Sequence, residues 1–309
     1  MTLADAPKTG PKTEAAAPTG PLVWMEMDQR TLDAAYDQGV WAANQALVAE
    51  RRAASAAEAH ARLSPRRVSY GQTPIEAFDF YACGPQTAPV MVFIHGGAWR
   101  AGEARGFAHV ADPFLAAGLH VAVLDFINID DAGGRLETMV EQVRAAVAHI
   151  ARNAGALAVD AGRIFVAGHS SGAHLSSCVL VTDWEGEHDL PADLLKGVVL
   201  MSGMYDLEPV RLSARSRYVN FTDETVENLS AIRHLDRVRC PIVLAYGTQE
   251  SPEFQRQARD FATALRKAGK TVDVVVAQAH NHFEMLEALH NPHACVGRAA
   301  LKMIAAARR

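Results

Sequence analysis

The strongest constraint on this chain is a set of short, continuously apolar runs built from β-branched residues. They include VMVFI in Val90–His95, VAVL in His120–Asp125, GVVL in Gly197–Met201 and VDVVV in Val272–Ala277. Strands that alternate apolar and polar residues bury one face; continuous runs bury both. Two further runs, Arg163–Ala167 and Ile242–Tyr246, follow the same pattern. Between them lie segments with apolar residues at i, i+3, i+4 and i+7. Leu136, Met139, Val140, Val143, Val147 and Ile150 form one such stripe. Phe254, Ala258, Phe261, Ala262 and Leu265 form another, stopped by Gly269. Repeated strand–helix units predict a doubly wound α/β domain with a mostly parallel sheet flanked by helices.

Two earlier runs, Arg66–Tyr70 and Glu76–Cys83, lie close enough to pair as a hairpin. They bring the expected count to eight strands with an antiparallel start, the number of an α/β-hydrolase fold. Upstream, residues 28–63 are Ala-rich and carry Leu32, Tyr36, Val40, Trp41, Leu47 and Val48 at helical spacing. That segment reads either as a helix packed on the core or as a small cap over a site. Residues 1–21 lack an apolar signal core and read as a disordered tail. The expected organisation is therefore a tail (1–21), an N-terminal helical segment (22–65) and one catalytic domain (66–309). The irregular stretch 203–239 is long for a crossover and is expected to form a small insertion above the sheet.

Charge and cysteines narrow the functional classes. The formal net charge of −5 supplies no basic excess for phosphate neutralisation, which argues against nucleic-acid binding. No run reaches the ~18 apolar residues of a transmembrane helix. The four cysteines, Cys83, Cys178, Cys240 and Cys295, form no C-x-x-C pair. They suit neither zinc nor a disulfide framework and fit a reducing cytoplasm. No metal and no cofactor is expected. The expected partner is a small-molecule acyl substrate, and a homodimer is left open.

The chemistry is concentrated in a few segments. Gly168-His169-Ser170-Ser171-Gly172 matches G-x-S-x-G between a buried strand and a helical segment. A serine there sits on a strained strand-to-helix turn, and glycines on either side remove side chains that would clash. Ser170, centred between the glycines, is the expected nucleophile. Ser171 is expected to donate its backbone N–H to an oxyanion. The loop His95-Gly96-Gly97-Ala98-Trp99 follows the VMVFI strand, where such folds place the remaining oxyanion donors. Gly97 and Ala98 are the expected donors, with Gly96 as the alternative. Chain order then requires an acid and a histidine. Glu250 occupies the turn after Ile242–Tyr246, with Glu253 as the alternative. After the last strand both His280 and His282 qualify; His282 opens a helical pattern and is better placed to reach the serine. Trp99, His169 and Tyr205 are expected to contribute to substrate binding; plain packing is the other reading for Trp99, and a structural role for His169.

These residues resemble the arylformamidase (kynurenine formamidase) branch of the α/β-hydrolases. The similarity rests on HGGAW at 95–99, GHSSGAHL at 168–175, MSGMYDLEPV at 201–210, GTQESPEFQRQ at 247–257, NHFEML at 281–286 and LDAAYDQ at 32–38. It runs from about residue 25 to 305. The resemblance implies a metal-independent serine hydrolase with Ser170, Glu250 and His282 at the triad positions. It implies cleavage of a small aryl formamide, amide, ester or carbamate, N-formylkynurenine being one candidate. This chain departs from the family in having Glu250 where the usual acid is Asp. It also lacks the Tyr and Pro expected within Asp125–Gly134. The alternative readings are a general carboxylesterase and a non-catalytic binding protein on the same fold.

Overall fold

The computed structural model describes residues 19–307, and the first part of the expected tail, residues 1–18, lies outside the described residues. Ten strands occur among the described residues: β1 (Leu22–Trp24), β2 (Met27–Asp28), β3 (Arg66–Ser69), β4 (Ala77–Tyr81), β5 (Ala88–Ile94), β6 (His120–Leu124), β7 (Val159–His169), β8 (Leu195–Met201), β9 (Ile242–Gly247) and β10 (Val272–Ala277). Eight of them form one sheet in the order β10-β9-β8-β7-β5-β6-β4-β3. The hairpin expected at its start is present, with Arg66 opposite Phe80 and Ser69 opposite Ala77 in antiparallel register. β4 is antiparallel to β6 as well, and every other neighbouring pair in the sheet is parallel.

The continuous apolar runs are explained by their two faces. In β5, Val90, Val92 and Ile94 belong to one hydrophobic cluster, and Met91 and Phe93 belong to the other. All five are fully buried. The helices Leu136–Arg152, Ser171–Leu180 and Pro252–Lys267 add apolar stripes to the first cluster, through Met139, Leu175 and Phe261 among others. The C-terminal helix Cys295–Ala306 covers the second through Val296, Ala300 and Ile304.

Several elements were not legible in the sequence. β7 extends well beyond Arg163–Ala167 at both ends. A short two-stranded sheet, β1 and β2, precedes the first helix, turning at Met25 with φ 47°. Residues 104–111 form a 3-10 helix and Asp112–Ala116 an α-helix on the second face. Thr19 and Gly20, inside the expected tail, are fastened through their N–H groups to the Asp28 carboxylate at 2.7 and 3.1 Å. The N-terminal helices are Gln29–Tyr36 and Gln45–Leu63. The irregular segment resolves into short turns of helix, Glu208–Arg211, Ala214–Arg217 and Asp223–Leu229 among them.

The strand order fixes where a ligand can sit. From β5 the chain moves to β6 on one side, then returns to β7 on the other side of β5. The loops leaving the carboxyl ends of β5 and β7 therefore diverge and leave a crevice between them. Both glycine-rich motifs, HGGAW and GHSSG, occupy those loops. Replacing fully buried Phe165 in β7 by Ala is expected to cost about 3–5 kcal/mol. Leu47→Ala, at a position 52% exposed, should stay within ~0.5 kcal/mol. Urea unfolding of both variants measures the contrast.

Candidate active site

The turn from β7 into the helix Ser171–Leu180 places Ser170 at φ 59°, ψ −126°. Left-handed backbone of this kind is strained for a side chain bearing a Cβ. The Ser170 N–H is held by the Met201 carbonyl at 2.9 Å. The flanking glycines are required by contact. A Cβ on Gly172 would lie 2.1 Å from the Ile94 carbonyl oxygen and 2.4 Å from that of His95. A Cβ on Gly168 would lie 2.2 Å from Ser176 Oγ.

The hydroxyl of Ser170 faces His282, with Oγ 2.8 Å from Nε2. On the other side of the imidazole, Nδ1 lies 3.3 Å from Glu250 Oε2. The second carboxylate oxygen, Oε1, accepts the Ser202 hydroxyl at 2.6 Å and the Gly247 N–H at 2.7 Å. Glu250 and His282 are only 2% and 4% exposed, so the line of three side chains is shielded from bulk water except at the serine end. His169 packs beside His282 with ring centroids 4.7 Å apart, and its Nε2 donates to the His282 carbonyl at 2.8 Å. Burial, then the neighbouring His282, push the His169 imidazole well below the ordinary histidine range, so it stays neutral.

The loop after β5 supplies the other side of the crevice. Gly97, Ala98 and Trp99 adopt successive positive φ values of 134°, 57° and 64°. This turns the backbone inward, and Gly97 and Ala98 line the cavity beside Ser170 and His282. Neither of their N–H groups enters a hydrogen bond among the described residues. Ser171 is the first residue of its helix, so its N–H has no intrahelical acceptor. The loop is tied to the elbow where the Trp99 N–H donates to Ser171 Oγ at 3.1 Å. His95 supports the loop from below. Its ring stacks between Phe107 and Phe126, and Nδ1 donates to the Gly96 carbonyl at 3.0 Å.

A cavity of about 590 Å³ opens above these groups. The N-terminal segment walls it with Tyr36, Gln38 and Arg52, and the 203–239 segment adds Arg215 and Tyr218. The N-terminal helices wall the cavity and also pack on the core, through Leu32, Tyr36 and Ala59. They are fastened to the loops that carry Glu250 and His282. Gln38 bonds Ser251 through both ends of its amide, at 2.8 and 3.2 Å. Asn44 bonds Asn281 and Glu284, at 2.7 and 2.8 Å.

The structure thus brings Ser170, His282, Glu250, Gly97, Ala98 and Ser171 together, with His169 on the cavity wall. It does not bring Trp99 or Tyr205 there. Trp99 is 2% exposed, with its indole donating to His174 Nδ1 at 3.3 Å. Tyr205 is fully buried and stacks on Phe261 at 4.4 Å. Both expectations of substrate contact are corrected to packing, because both rings are buried against core partners and neither lines the cavity. Of the alternatives, His280 Nδ1 is occupied by the Gln278 carbonyl, and Glu253 is taken by Arg256 and the Tyr36 hydroxyl. Ser202, Gln38 and Arg215 were missed, since nothing in their local spacing marks them.

A family model described as BD-FAE matches residues 79–265, and the chain belongs to that family. It is 27% identical over 295 residues to a kynurenine formamidase of Danio rerio, covering 91% of this chain and 98% of that one. A kynurenine formamidase of Salmo salar is 29% identical over 249 residues, covering 77% and 81%. A solved structure from Silicibacter sp. superposes with a TM-score of 0.76 at 26% identity, covering 89% of this chain and 98% of that chain. The chain is a hydrolase of the α/β-hydrolase fold, similar to these kynurenine formamidases.

Gly172→Ala should destabilise the protein by about 3 kcal/mol or lose the soluble fold, because the methyl would meet backbone carbonyls that cannot yield. Circular dichroism during urea unfolding reads this. A second expectation concerns acid. Burial lowers the His174 imidazole to about 4. It is neutral when folded but protonates near 6.5 when unfolded, so its contribution is lost as pH falls from about 7 towards 4. By pH 5 the loss from this residue is about 2 kcal/mol. His174→Gln should flatten the dependence of unfolding free energy on pH between 7 and 5.

Proposed function

We propose that this protein is a serine hydrolase cleaving a small aryl formamide, amide, ester or carbamate through an acyl-enzyme. The observation that carries the reading is the continuous line from Ser170 Oγ to His282 Nε2 and from His282 Nδ1 to Glu250, at 2.8 and 3.3 Å. In this reading His282 takes the Ser170 proton as the hydroxyl oxygen attacks the carbonyl carbon. The N–H groups of Gly97, Ala98 and Ser171 receive the negative charge that develops on the carbonyl oxygen. His282 then gives its proton to the departing amine or alcohol. Water, deprotonated by the same imidazole, attacks the acyl-serine and releases the acid. Glu250 holds the imidazole in the tautomer with hydrogen on Nδ1 and balances its charge while protonated.

Substrate size and class are read from the walls. A volume of about 590 Å³ takes a small molecule rather than a polymer. The aromatic rings of Tyr36, Phe107, Tyr218 and Phe283 line it, which favours an aryl group. The arginines Arg52 and Arg215 and the carboxylates of Asp33 and Asp37 add polar contacts on the same walls. The kynurenine formamidase relatives support a formamide among the candidate substrates.

A hydrolysis screen of N-formylkynurenine, p-nitrophenyl esters and aryl carbamates tests the proposal. Turnover of at least one is expected, falling about 10⁴-fold or more in Ser170→Ala. A serine-directed phosphonate should add to Ser170 and to no other residue by mass spectrometry. Normal turnover in the Ser170→Ala enzyme would end this reading.

A further inference from the structure

We infer that Ser202 is a positioning residue for the Glu250 carboxylate, and that the MSGMYDLEPV and GTQESPEFQRQ segments form one clamp that presents it. The inference rests on the triad proposed above.

Ser202 immediately follows β8 and is fully buried, with φ 56°. A non-glycine residue in this region is strained, and such strain persists only where surrounding contacts over-determine it. Here they do. The Ser202 N–H donates to the Ala245 carbonyl at 2.8 Å. The next residue, Gly203, donates its N–H to the Tyr205 hydroxyl at 3.2 Å. The N–H groups of Tyr205 and Asp206 share Gln257 Oε1 at 2.9 and 3.0 Å, while Gln257 Nε2 returns to the Asp206 carbonyl at 2.7 Å. Gln257 and Phe261, which stacks on Tyr205, lie on the helix Pro252–Lys267 that starts just after Glu250. The turns after β8 and β9 are thereby locked face to face around a single carboxylate.

The consequence for Glu250 is a division of labour between its oxygens. Oε1 carries two donors, the Ser202 hydroxyl and the Gly247 N–H, and Oε2 is left for the imidazole. A glutamate has one more rotatable bond than an aspartate and so more orientations to lose on ordering. Gly247 alone supplies one point of attachment and leaves the carboxylate free to pivot. The Ser202 hydroxyl is the second point, which fixes the carboxylate plane relative to His282. Ser202 does not line the cavity, so its loss acts on the rate rather than on substrate affinity.

The test is a double-mutant cycle with p-nitrophenyl acetate as substrate. Ser202→Ala should lower kcat about 10–100-fold with KM changed less than about twofold. In the Glu250→Gln background the same change should cost less than about twofold, because the group it positions is no longer an anion. Ser202→Gly is the control for folding. Glycine accepts the positive φ without strain, so this variant should fold as well as the parent and still show the loss in kcat. Circular dichroism and thermal unfolding confirm the folded state of each variant. If Ser202→Gly is folded and keeps kcat within twofold of the parent, the inference is overturned while the triad stands. A Ser202→Ala penalty that multiplies undiminished onto Glu250→Gln overturns it equally, because the serine would then act elsewhere. Full activity in Glu250→Gln alone would overturn the proposed triad, and this inference with it.

Discussion

The close approach of two backbone turns, one leaving β5 and one leaving β7, is the constraint on which this site depends. Gly172 packs its Cα against the carbonyls of Ile94 and His95, and Gly96 packs against the His169 carbonyl. The Trp99 N–H closes the contact through Ser171 Oγ. A Cβ at either glycine would force the turns apart. The strained conformation of Ser170 is affordable because parallel β5 and β7, paired from Val90–Ile164 to Ile94–Gly168, deliver both turns at a fixed height.

The same rim carries the other two members of the line. β8 is followed by Ser202, β9 by the turn with Glu250, and β10 by the loop with His282. Parallel pairing sets these three ends side by side in the sheet, so residues far apart in the chain meet without any one loop spanning the distance. Burial then does the electrostatic work. With water excluded from Glu250 and His282, their interaction is less screened than it would be at the surface.

The N-terminal helices show how access and machinery are joined. Their inner face narrows the cavity, while Gln38 and Asn44 reach the loops beside Glu250 and His282. The cavity wall is therefore bonded directly to the segments that carry Glu250 and His282. The arrangement favours a wall that stays in place over one that swings open, since both amide clamps are partly or wholly buried.

From sequence alone the fold class was legible, and the line was narrowed to Ser170 with Glu250 or Glu253 and His282 or His280. Continuous β-branched runs fit strands buried on both faces, as in a mostly parallel sheet with helices on each side. A serine between two glycines at a strand–helix junction, and a carboxylate and a histidine after later strands, were legible because their meaning is local: each depends on its own turn. Tertiary structure alone decided what no local signal carries. Trp99 and Tyr205 look like pocket aromatics in sequence but are buried in the core, Trp99 from a positive-φ turn. Ser202, Gln38 and Arg215 carry no distinguishing spacing and acquire their places only when strands and helices distant in the chain pack together. A side chain's partners across the fold depend on rotamer and on long-range register, and neither is written in the few residues around it.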